Sequence, residues 1–264
     1  SSEQVEDIVA SAIESIDLNE KNLVQMYESL SKVAEKKDNT IVKISAVTTD
    51  TDWFNNTLQN ESSCSGIIIA KSGDSLIVLA PNMEKEGGIK VGFYDGSNQE
   101  ATVIGSDQLT NLMILSVDIS SMEEKIKSIE PVVLGNSYQL KKGAFILAVG
   151  SPVGVSRSID IGNITAIDKN ASFFDGYGRV IYCDKHLDSI GTFLIDTSGN
   201  LVGVVSNLDD SSSISMAYGI SDLKMLIENM TNGVGSSYLG VRAIDIDKDK
   251  APEGMPSGVY VTEV

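Results

Sequence analysis

Two short apolar runs joined by a polar turn decide the fold class of this chain. The first is Ser65-Gly66-Ile67-Ile68-Ile69-Ala70-Lys71, and the second follows after three polar or glycine residues as Ser75-Leu76-Ile77-Val78-Leu79-Ala80-Pro81-Asn82. Runs of aliphatic and β-branched residues this short are typical of buried strands, because helices need longer periodic segments. The pair therefore predicts two β-strands with a turn between them.

Similar runs recur on both sides of this pair, with turn dipeptides such as Asp95-Gly96 and Ser198-Gly199 between them. The other predicted strands are Thr40–Val47, Ile89–Tyr94, Ala101–Ile104, Leu112–Val117, Pro131–Leu134, Ala144–Val149, Ile159–Ile167, Val180–Cys183, Thr192–Ile195, Leu201–Ser206 and Ser213–Tyr218. Only one short helical stretch of mixed charge, Ser120–Ser128, interrupts them, which disfavours a parallel α/β sheet. Two sets of about six strands predict two antiparallel barrels or sandwiches.

Helical periodicity is confined to the flanks of this β region. Residues 1–38 form a predicted N-terminal helix whose apolar residues recur three and four positions apart, which favours a docking face over a coiled coil. The stripe comprises Leu23, Met26, Tyr27, Leu30 and Val33. A second amphipathic helix is predicted over Ser221–Met230, with Ser221 as its N-cap. A glycine-rich linker, residues 231–237, then leads to a last segment with strands at Tyr238–Ile244 and Val259–Val264.

Composition and charge narrow the classes of partner. The chain has 264 residues, with 20 Lys+Arg against 37 Asp+Glu and a net charge of −17. Such a surface repels phosphate backbones and anionic lipid, which disfavours binding to nucleic acid and to membrane surfaces and is compatible with a cationic partner. No apolar run approaches the roughly 18 to 20 residues that span a bilayer.

The sequence contains few of the cysteine and histidine residues that bind metals or cofactors. Cys64 and Cys183 are the two cysteines, which excludes a cysteine zinc site and leaves either one disulfide or, as we favour, two inert thiols. The single histidine, His186, excludes a site built on several imidazoles. Asp245, Asp247 and Asp249 alternate as in a calcium loop, but the glycine and final glutamate of that loop are missing, which favours a solvated turn. We expect no cofactor and no metal.

Several motifs occur in the order and spacing of one protein family. The strand pair quoted above is followed by a segment ending in Thr110-Asn111-Leu112, then by Gly150-Ser151-Pro152-Val153-Gly154, and later by Leu187–Ile195 and Gly199–Val204. Together they resemble the bacterial trypsin-like serine proteases of the HtrA/DegP type, from about Ser65 to Met230. The resemblance implies a mainly β fold of the trypsin/chymotrypsin type, with two six-stranded antiparallel β-barrels and a cleft between them.

The resemblance also implies a domain order. It gives an N-terminal helical segment (1–38), a first barrel (39–130), a second barrel with its closing helix (131–234) and the start of an incomplete PDZ domain (235–264). Within the last segment, Tyr238, Leu239, Gly240 and Val241 match the loop that receives a peptide carboxylate in PDZ domains.

The catalytic positions of the family hold unsuitable residues here. By resemblance, Asn82 stands at the histidine position and Asn111 at the aspartate position. An amide has no usable basicity, and it does not stabilise an imidazolium as a carboxylate does. Counting back from Gly203 without gaps places Ile190 at the nucleophile, whereas matching Asp188-Ser189 to the family's Asp-Ser pair places Ser189 there. Both registers stay open, and we favour the first because it also keeps the following strand in phase.

The loop around the nucleophile position is poor in glycine. Its oxyanion positions fall at Leu187, Asp188 and Gly191, and we expect the bulky residues at 187, 190 and 192 to deform or fill the oxyanion hole. His186 lies three residues before Ser189, so an improvised Ser–His dyad is one interpretation. A partly exposed loop histidine is the interpretation we favour.

Three functions follow as predictions. The favoured one is a pseudoprotease that holds polypeptide or serves as a regulatory scaffold. The second is a serine endopeptidase that uses Ser189 with a non-standard or donated base, and the third is a peptide-binding module acting through its PDZ domain. By resemblance we expect an extracytoplasmic location, possible homotrimers, and an N-terminal membrane tether outside this chain, which opens with Ser1 instead of Met.

Overall fold

The protein consists mainly of antiparallel β-structure arranged as two closed six-stranded barrels, as the sequence predicts. The structure is a computed structural model and describes residues 20–51, 57–83, 88–173, 176–189, 191–206, 215–234, 242–246, 256 and 258–263. Among these, no helix is long and apolar enough to cross a bilayer.

The first barrel contains six strands, all paired antiparallel. They are β1 (Ile41–Thr51), β2 (Thr57–Ser72), β3 (Ser75–Pro81), β4 (Ile89–Gly92), β5 (Asn98–Asp107) and β6 (Leu112–Asp118). Their order around the barrel is β1-β2-β3-β6-β5-β4, and β4 pairs with β1 to close it. The strand pair that decides the fold class is β2–β3, with Ile67 opposite Leu79. A four-residue helix, α2 (Glu124–Lys127), follows β6 within the predicted 120–128 stretch.

The second barrel repeats this arrangement. It is built from β7 (Phe145–Gly150), β8 (Ser158–Phe173), β9 (Gly176–Cys183), β10 (Thr192–Ile195), β11 (Leu201–Ser206) and β12 (Met216–Gly219). The order is β10-β11-β12-β9-β8-β7, and β10 pairs with β7 to close the barrel.

The continuous apolar runs exist because several strands are buried on both faces. In β3, Leu76, Val78 and Ala80 belong to the interior of the first barrel. Ile77 and Leu79 alternate with them and join a second core shared by both barrels. Since successive side chains on a strand point to opposite faces, one strand thus serves two cores. In the second barrel, Leu194 faces the barrel interior while its neighbour Phe193 enters the shared core.

Two helices cover the shared core. The helix α1 (Glu20–Lys37) buries Leu30 and Ala34 in it, while Leu23 and Tyr27 of the same predicted stripe stay about half exposed. The docking prediction therefore holds for the C-terminal half of α1, and residues 1–19 lie outside the described residues. The helix α3 (Ile220–Thr231) contributes Leu223, Ile227 and Met230 to the same core.

Two local predictions are wrong. The run Pro131–Leu134 is not a strand of a barrel: it connects the barrels as an extended segment, with Val132 N–H donating to the Ile68 carbonyl at 2.9 Å. Ser221 is not the N-cap of α3, because the helix begins one residue earlier with Gly219 as its cap. Instead, the Ser221 hydroxyl accepts a hydrogen bond from the backbone N–H of Ser137 at 2.9 Å.

The C-terminal segment contributes a two-stranded antiparallel sheet. Its strands are β13 (Arg242–Ile246) and β14 (Gly258–Glu263), which pair with Ile244 opposite Tyr260. These strands overlap the two strand predictions for this segment: β13 extends two residues beyond Ile244, and β14 begins one residue before Val259.

Candidate functional site

The two asparagines at the predicted histidine and aspartate positions lie next to each other. Asn82 directly follows β3 and Asn111 directly precedes β6, and these strands pair up to Pro81 opposite Leu112. The backbone N–H of Asn82 donates to the Asn111 carbonyl at 2.8 Å. The pairing of β3 with β6 thus places side by side, through their backbones, the two asparagines that the family resemblance assigns to the base and to its orienting acid.

A buried carboxylate shapes the turn that presents Asn111. Asp107, at the end of β5, is 4% exposed and accepts hydrogen bonds from the Thr110 N–H at 2.8 Å and the Thr110 hydroxyl at 2.7 Å. Asn111 then adopts a left-handed conformation with φ of 54°, which asparagine tolerates better than most residues. The carboxylate of Asp107 is therefore used to stabilise the turn. The left-handed backbone at position 111 accounts for an asparagine there without a catalytic role.

Gly191 is held between the two barrels. Its φ of 81° and the 2.0 Å distance from its ideal Cβ position to the Ser65 carbonyl oxygen leave room only for glycine. Its N–H donates to the Ser189 carbonyl at 2.8 Å, and its own carbonyl accepts from the Ser151 N–H at 3.1 Å. The segment before β10 therefore has a fixed path. Ile190 lies outside the described residues, so its side chain is not placed.

One backbone donor of the predicted oxyanion hole already has a partner within the protein. In trypsin-type enzymes these donors are the N–H of the nucleophile and that of the residue two positions before it. With Ile190 as the nucleophile position, the second donor is Asp188, whose N–H donates to the Pro152 carbonyl at 3.0 Å.

The other register gives the same outcome. With Ser189 as the nucleophile position, the second donor is Leu187, whose N–H donates to the buried Ser215 hydroxyl at 2.5 Å. In either register, one donor of the pair is turned into the protein instead of toward a reacting carbonyl.

Three serine hydroxyls form a small cluster beneath this segment. The Ser65 hydroxyl lies 2.7 Å from that of Ser151 and 3.2 Å from that of Ser156. Ser65 is fully buried and Ser151 is 4% exposed. Sequence reasoning missed this cluster, because Ser65 and Ser151 are 86 residues apart and meet only in the folded chain. The cluster joins the first barrel to the loop of residues 151–157.

His186 lies in the wall of a pocket next to the predicted nucleophile segment. The pocket has a volume of about 440 Å³ and is lined by Pro152, Val153, His186, Leu187 and Asp188. Within the described part of the chain, the imidazole makes no hydrogen bond to a hydroxyl. The favoured interpretation as a loop histidine thus agrees with the geometry better than the Ser–His dyad.

The remaining candidates separate into three groups. Cys64 and Cys183 are both buried free thiols, as we favoured, and burial raises the pKa of each to about 12. Among the described residues, no three His, Cys, Asp or Glu side chains converge on a possible metal position. The loop Tyr238–Val241 and the aspartates at 247 and 249 lie outside the described residues.

Comparisons with known proteins now decide the family. Residues 64–204, more than half of the chain, match the family described as "Trypsin-like peptidase domain". The chain belongs to the trypsin-like peptidase family. Asn82, Asn111, both cysteines and the strands from β3 to β10 lie inside the matched region.

Relatives of this trypsin-like peptidase homologue are of the HtrA type. It is 28% identical over 225 residues to "Serine protease Do-like HtrA" of Bacillus subtilis (strain 168), which covers 76% of this chain and 49% of that protein. It is 29% identical over 219 residues to "Probable periplasmic serine endoprotease DegP-like" of Pseudomonas savastanoi pv. phaseolicola, covering 78% and 43%. The chain spans about half the length of these relatives or slightly less.

The fold of the trypsin-like peptidase homologue is also that of solved HtrA-type structures. One is titled "HtrA-type protease AlgW with decapeptide"; it matches with a TM-score of 0.69 at 20% identity, over 89% of this chain and 79% of that chain. The mainly β, two-barrel fold and the HtrA-type resemblance that the sequence predicts are therefore confirmed.

Proposed function

We propose that this HtrA-type homologue is a pseudoprotease that holds polypeptide near its inter-barrel cleft without cleaving it. The observation that carries the proposal is the pair Asn82 and Asn111, which the family resemblance assigns to the base and the acid and whose backbones meet through a 2.8 Å hydrogen bond. A serine hydroxyl is a weak nucleophile at neutral pH and needs an adjacent base. Loss of a triad of this type lowers kcat by about 10⁶-fold in the best-studied case.

The bonded oxyanion donors support the same proposal independently. Asp188 donates to Pro152 and Leu187 to Ser215, so neither N–H points toward a substrate carbonyl. Loss of a single oxyanion donor lowers kcat by about 10²- to 10³-fold in a typical serine protease. Two independent defects on one site favour binding over turnover.

Polypeptide is the favoured ligand class for two reasons. The relatives are named as proteases, and one structural neighbour was solved with a decapeptide. The pocket of about 440 Å³ beside the nucleophile segment offers room for a side chain. The relatives named as periplasmic support an extracytoplasmic location. Homotrimers, a membrane tether and peptide capture by Tyr238–Val241 remain predictions from the family resemblance.

Two assays on the same preparation test the proposal. We expect that intact-mass measurement detects no adduct with a fluorophosphonate probe and that casein is not cleaved. We also expect fluorescein-labelled decapeptides from a randomised library to bind saturably, as measured by fluorescence polarisation. Ser189→Ala is the matched control and is expected to bind the same peptides.

Two outcomes contradict the proposal in different ways. Stoichiometric labelling at Ser189, with turnover that disappears in Ser189→Ala, would establish the endopeptidase alternative. Absence of binding to any peptide of the library would remove the polypeptide-holding function.

A further inference from the structure

A pair of opposite charges connects the end of α1 to the second barrel. Asp38, the residue that follows α1, accepts a hydrogen bond from the Arg157 guanidinium, and the two side chains form an ion pair. The two residues are 119 positions apart in sequence. The side chains of Arg157 and Asp38 are 28% and 38% exposed, so water screens this pair less than it screens a fully exposed one.

Docking of α1 fixes where the Asp38 carboxylate lies. Leu30 is buried in the shared core, and the last turn of α1 packs on the turn between β10 and β11. In that turn, the position of a Cβ on Gly199 is 2.9 Å from the Lys37 Cε atom. Because Asp38 follows Lys37 directly, its carboxylate reaches Arg157 only while the end of α1 is docked.

Arg157 holds its position at a cost in free energy. Its backbone is left-handed, with φ of 65°, a feature that only Asn111 shares among the non-glycine residues that the structure describes. Arginine lacks the short polar side chain that eases this conformation in asparagine. Its Nη1 atom is also buried and has no hydrogen-bond partner from any described residue, which leaves a donor unsatisfied. A strained residue of this kind persists only where its surroundings hold it.

Few contacts hold Arg157 in this conformation. The ion pair with Asp38 is one, and the ring of Tyr94, whose centroid is 6.0 Å from the Arg157 Cζ atom, is a second and weaker one. The preceding residue, Ser156, has its hydroxyl 3.2 Å from that of Ser65. Among the described ion pairs, only the one with Asp38 compensates the charge of Arg157.

Arg157 ends a loop whose other end touches the candidate site. Near the start of loop 151–157, the Pro152 carbonyl accepts a hydrogen bond from the Asp188 N–H at 3.0 Å. The loop is therefore bonded to the nucleophile segment at one end and to Asp38 at the other. A change at Asp38 reaches the nucleophile segment through one short stretch of backbone.

We propose that Asp38 and Arg157 are positioning residues that make the order of loop 151–157, and with it peptide binding beside the nucleophile segment, depend on the docking of α1. The inference rests on the proposed polypeptide-holding function and adds a means of regulating it. A partner that displaces the end of α1 breaks the ion pair. The loop then relaxes, because Arg157 has lost the contact that offsets its strain.

Hydrogen exchange of the free protein tests the positioning role. Asp38→Asn removes the charge but keeps the size of the side chain, and we expect the amides of residues 151–158 to exchange about tenfold faster. Glu35→Gln is the matched control, because it removes one charge from an exposed residue one turn earlier on α1. It should leave the exchange of the loop unchanged.

Arg157→Gly tests the strain itself. Glycine adopts a φ of 65° freely, so the loop should stay ordered without the ion pair. In this background, adding Asp38→Asn should have no further effect on exchange. A role of the ion pair in overall stability alone predicts instead that Arg157→Gly loosens the loop as much as Asp38→Asn does.

Peptide affinity tests the consequence for binding. A decapeptide selected from the randomised library, titrated by fluorescence polarisation, should bind Asp38→Asn about threefold more weakly than the parent, since affinity falls with the ordered fraction of the site. The same peptide should bind Arg157→Gly and the double variant with equal affinity.

The two measurements separate the possible failures. Unchanged exchange in Asp38→Asn, an equal effect of Glu35→Gln, or a loop loosened by Arg157→Gly would overturn the positioning role while the polypeptide-holding function stands. Faster exchange in Asp38→Asn with unchanged peptide affinity would overturn the regulation of binding. If no library peptide binds the parent protein, the polypeptide-holding function fails, and the exchange measurement alone decides whether the pair positions the loop.

Discussion

The backbone of Gly191 lies so close to that of Ser65 that a Cβ atom on residue 191 would be 2.0 Å from the Ser65 carbonyl oxygen and 2.6 Å from its nitrogen. This contact joins the nucleophile segment of the second barrel to β2 of the first. Ser65 is completely buried and its hydroxyl is bonded to Ser151, so neither side has space to move. The contact between the barrels and the backbone path of the segment around Gly191 therefore depend on each other.

We expect Gly191→Ala to destabilise the protein strongly. Alanine at φ of 81° costs about 1 to 2 kcal/mol in backbone strain, and overlap with the Ser65 backbone adds to it, for a loss of about 4 kcal/mol in total. Gly73→Ala is the matched control, because Gly73 also has a positive φ of 56° but no atom within 4 Å of its Cβ position. Thermal unfolding of both variants measures the difference in stability. Equal losses of stability in the two variants would show that the close contact with Ser65 does not contribute to the effect of the substitution.

A pair of threonines offers a test with opposite signs. Thr192 is fully buried, and its hydroxyl has no hydrogen-bond partner among the residues that the structure describes. Thr192→Val replaces that hydroxyl by a methyl group of similar size, so the free energy of unfolding should rise by about 1 kcal/mol. The hydroxyl of Thr110 donates to buried Asp107 at 2.7 Å. Thr110→Val should therefore lower the free energy of unfolding by about 2 kcal/mol. Urea titrations compare the two, and a destabilised Thr192→Val would contradict the assignment.

The buried thiols make the protein sensitive to alkaline pH. Burial raises the pKa of Cys64 and Cys183 from 9.0 to about 12. Above pH 9 the unfolded chain releases these protons while the folded chain keeps them, so each thiol stabilises the fold fully below pH 9 and this contribution is lost as pH rises toward 12. We expect a double Cys→Ala variant to lose less stability than the parent between pH 8 and pH 10.5, measured by urea titration at each pH.

Reactivity of the same thiols provides an independent control. At pH 8 a thiol with a pKa of about 12 is about 0.01% thiolate, so iodoacetamide should label neither cysteine in the folded protein. In urea both cysteines should react. Rapid labelling of the folded protein would contradict the burial of these groups.

The fold was predictable from the sequence to a larger extent than the site. Runs such as Leu76–Ala80 identify strands because alternate residues enter two cores, and that pattern is local. The run Pro131–Leu134 has the same local pattern but bonds to β2 and β11 as a connection between the barrels, which only the tertiary arrangement decides. The assignment of Asn82 and Asn111 to the base and acid positions rests on motif order and stays a prediction. The partners of Leu187 and Asp188 could not be predicted, because the Ser215 hydroxyl and the Pro152 carbonyl are distant in sequence and meet these N–H groups only in the folded chain.

Restoring the triad alone should not restore proteolysis. The variant Asn82→His, Asn111→Asp, Ile190→Ser supplies a base, an acid and a nucleophile, and aspartate tolerates the φ of 54° at position 111. We still expect no turnover of casein, because the Asp188 N–H stays bonded to the Pro152 carbonyl at 3.0 Å and is not directed at the developing oxyanion. Fluorophosphonate labelling and casein cleavage, with an active HtrA-type protease assayed in parallel, measure the result.

A companion variant separates the two defects. Adding Asp188→Gly and Thr192→Gly to the restored triad frees the segment to take other backbone conformations, since glycine accepts dihedral angles that aspartate and threonine do not. We expect measurable labelling and turnover only in this combined variant, whereas the two glycine substitutions without the triad should remain inactive. Turnover by the triad variant alone, at a rate equal to that of the combined variant, would mean that the Asp188–Pro152 hydrogen bond opens readily and that the lost triad residues are the only barrier to catalysis.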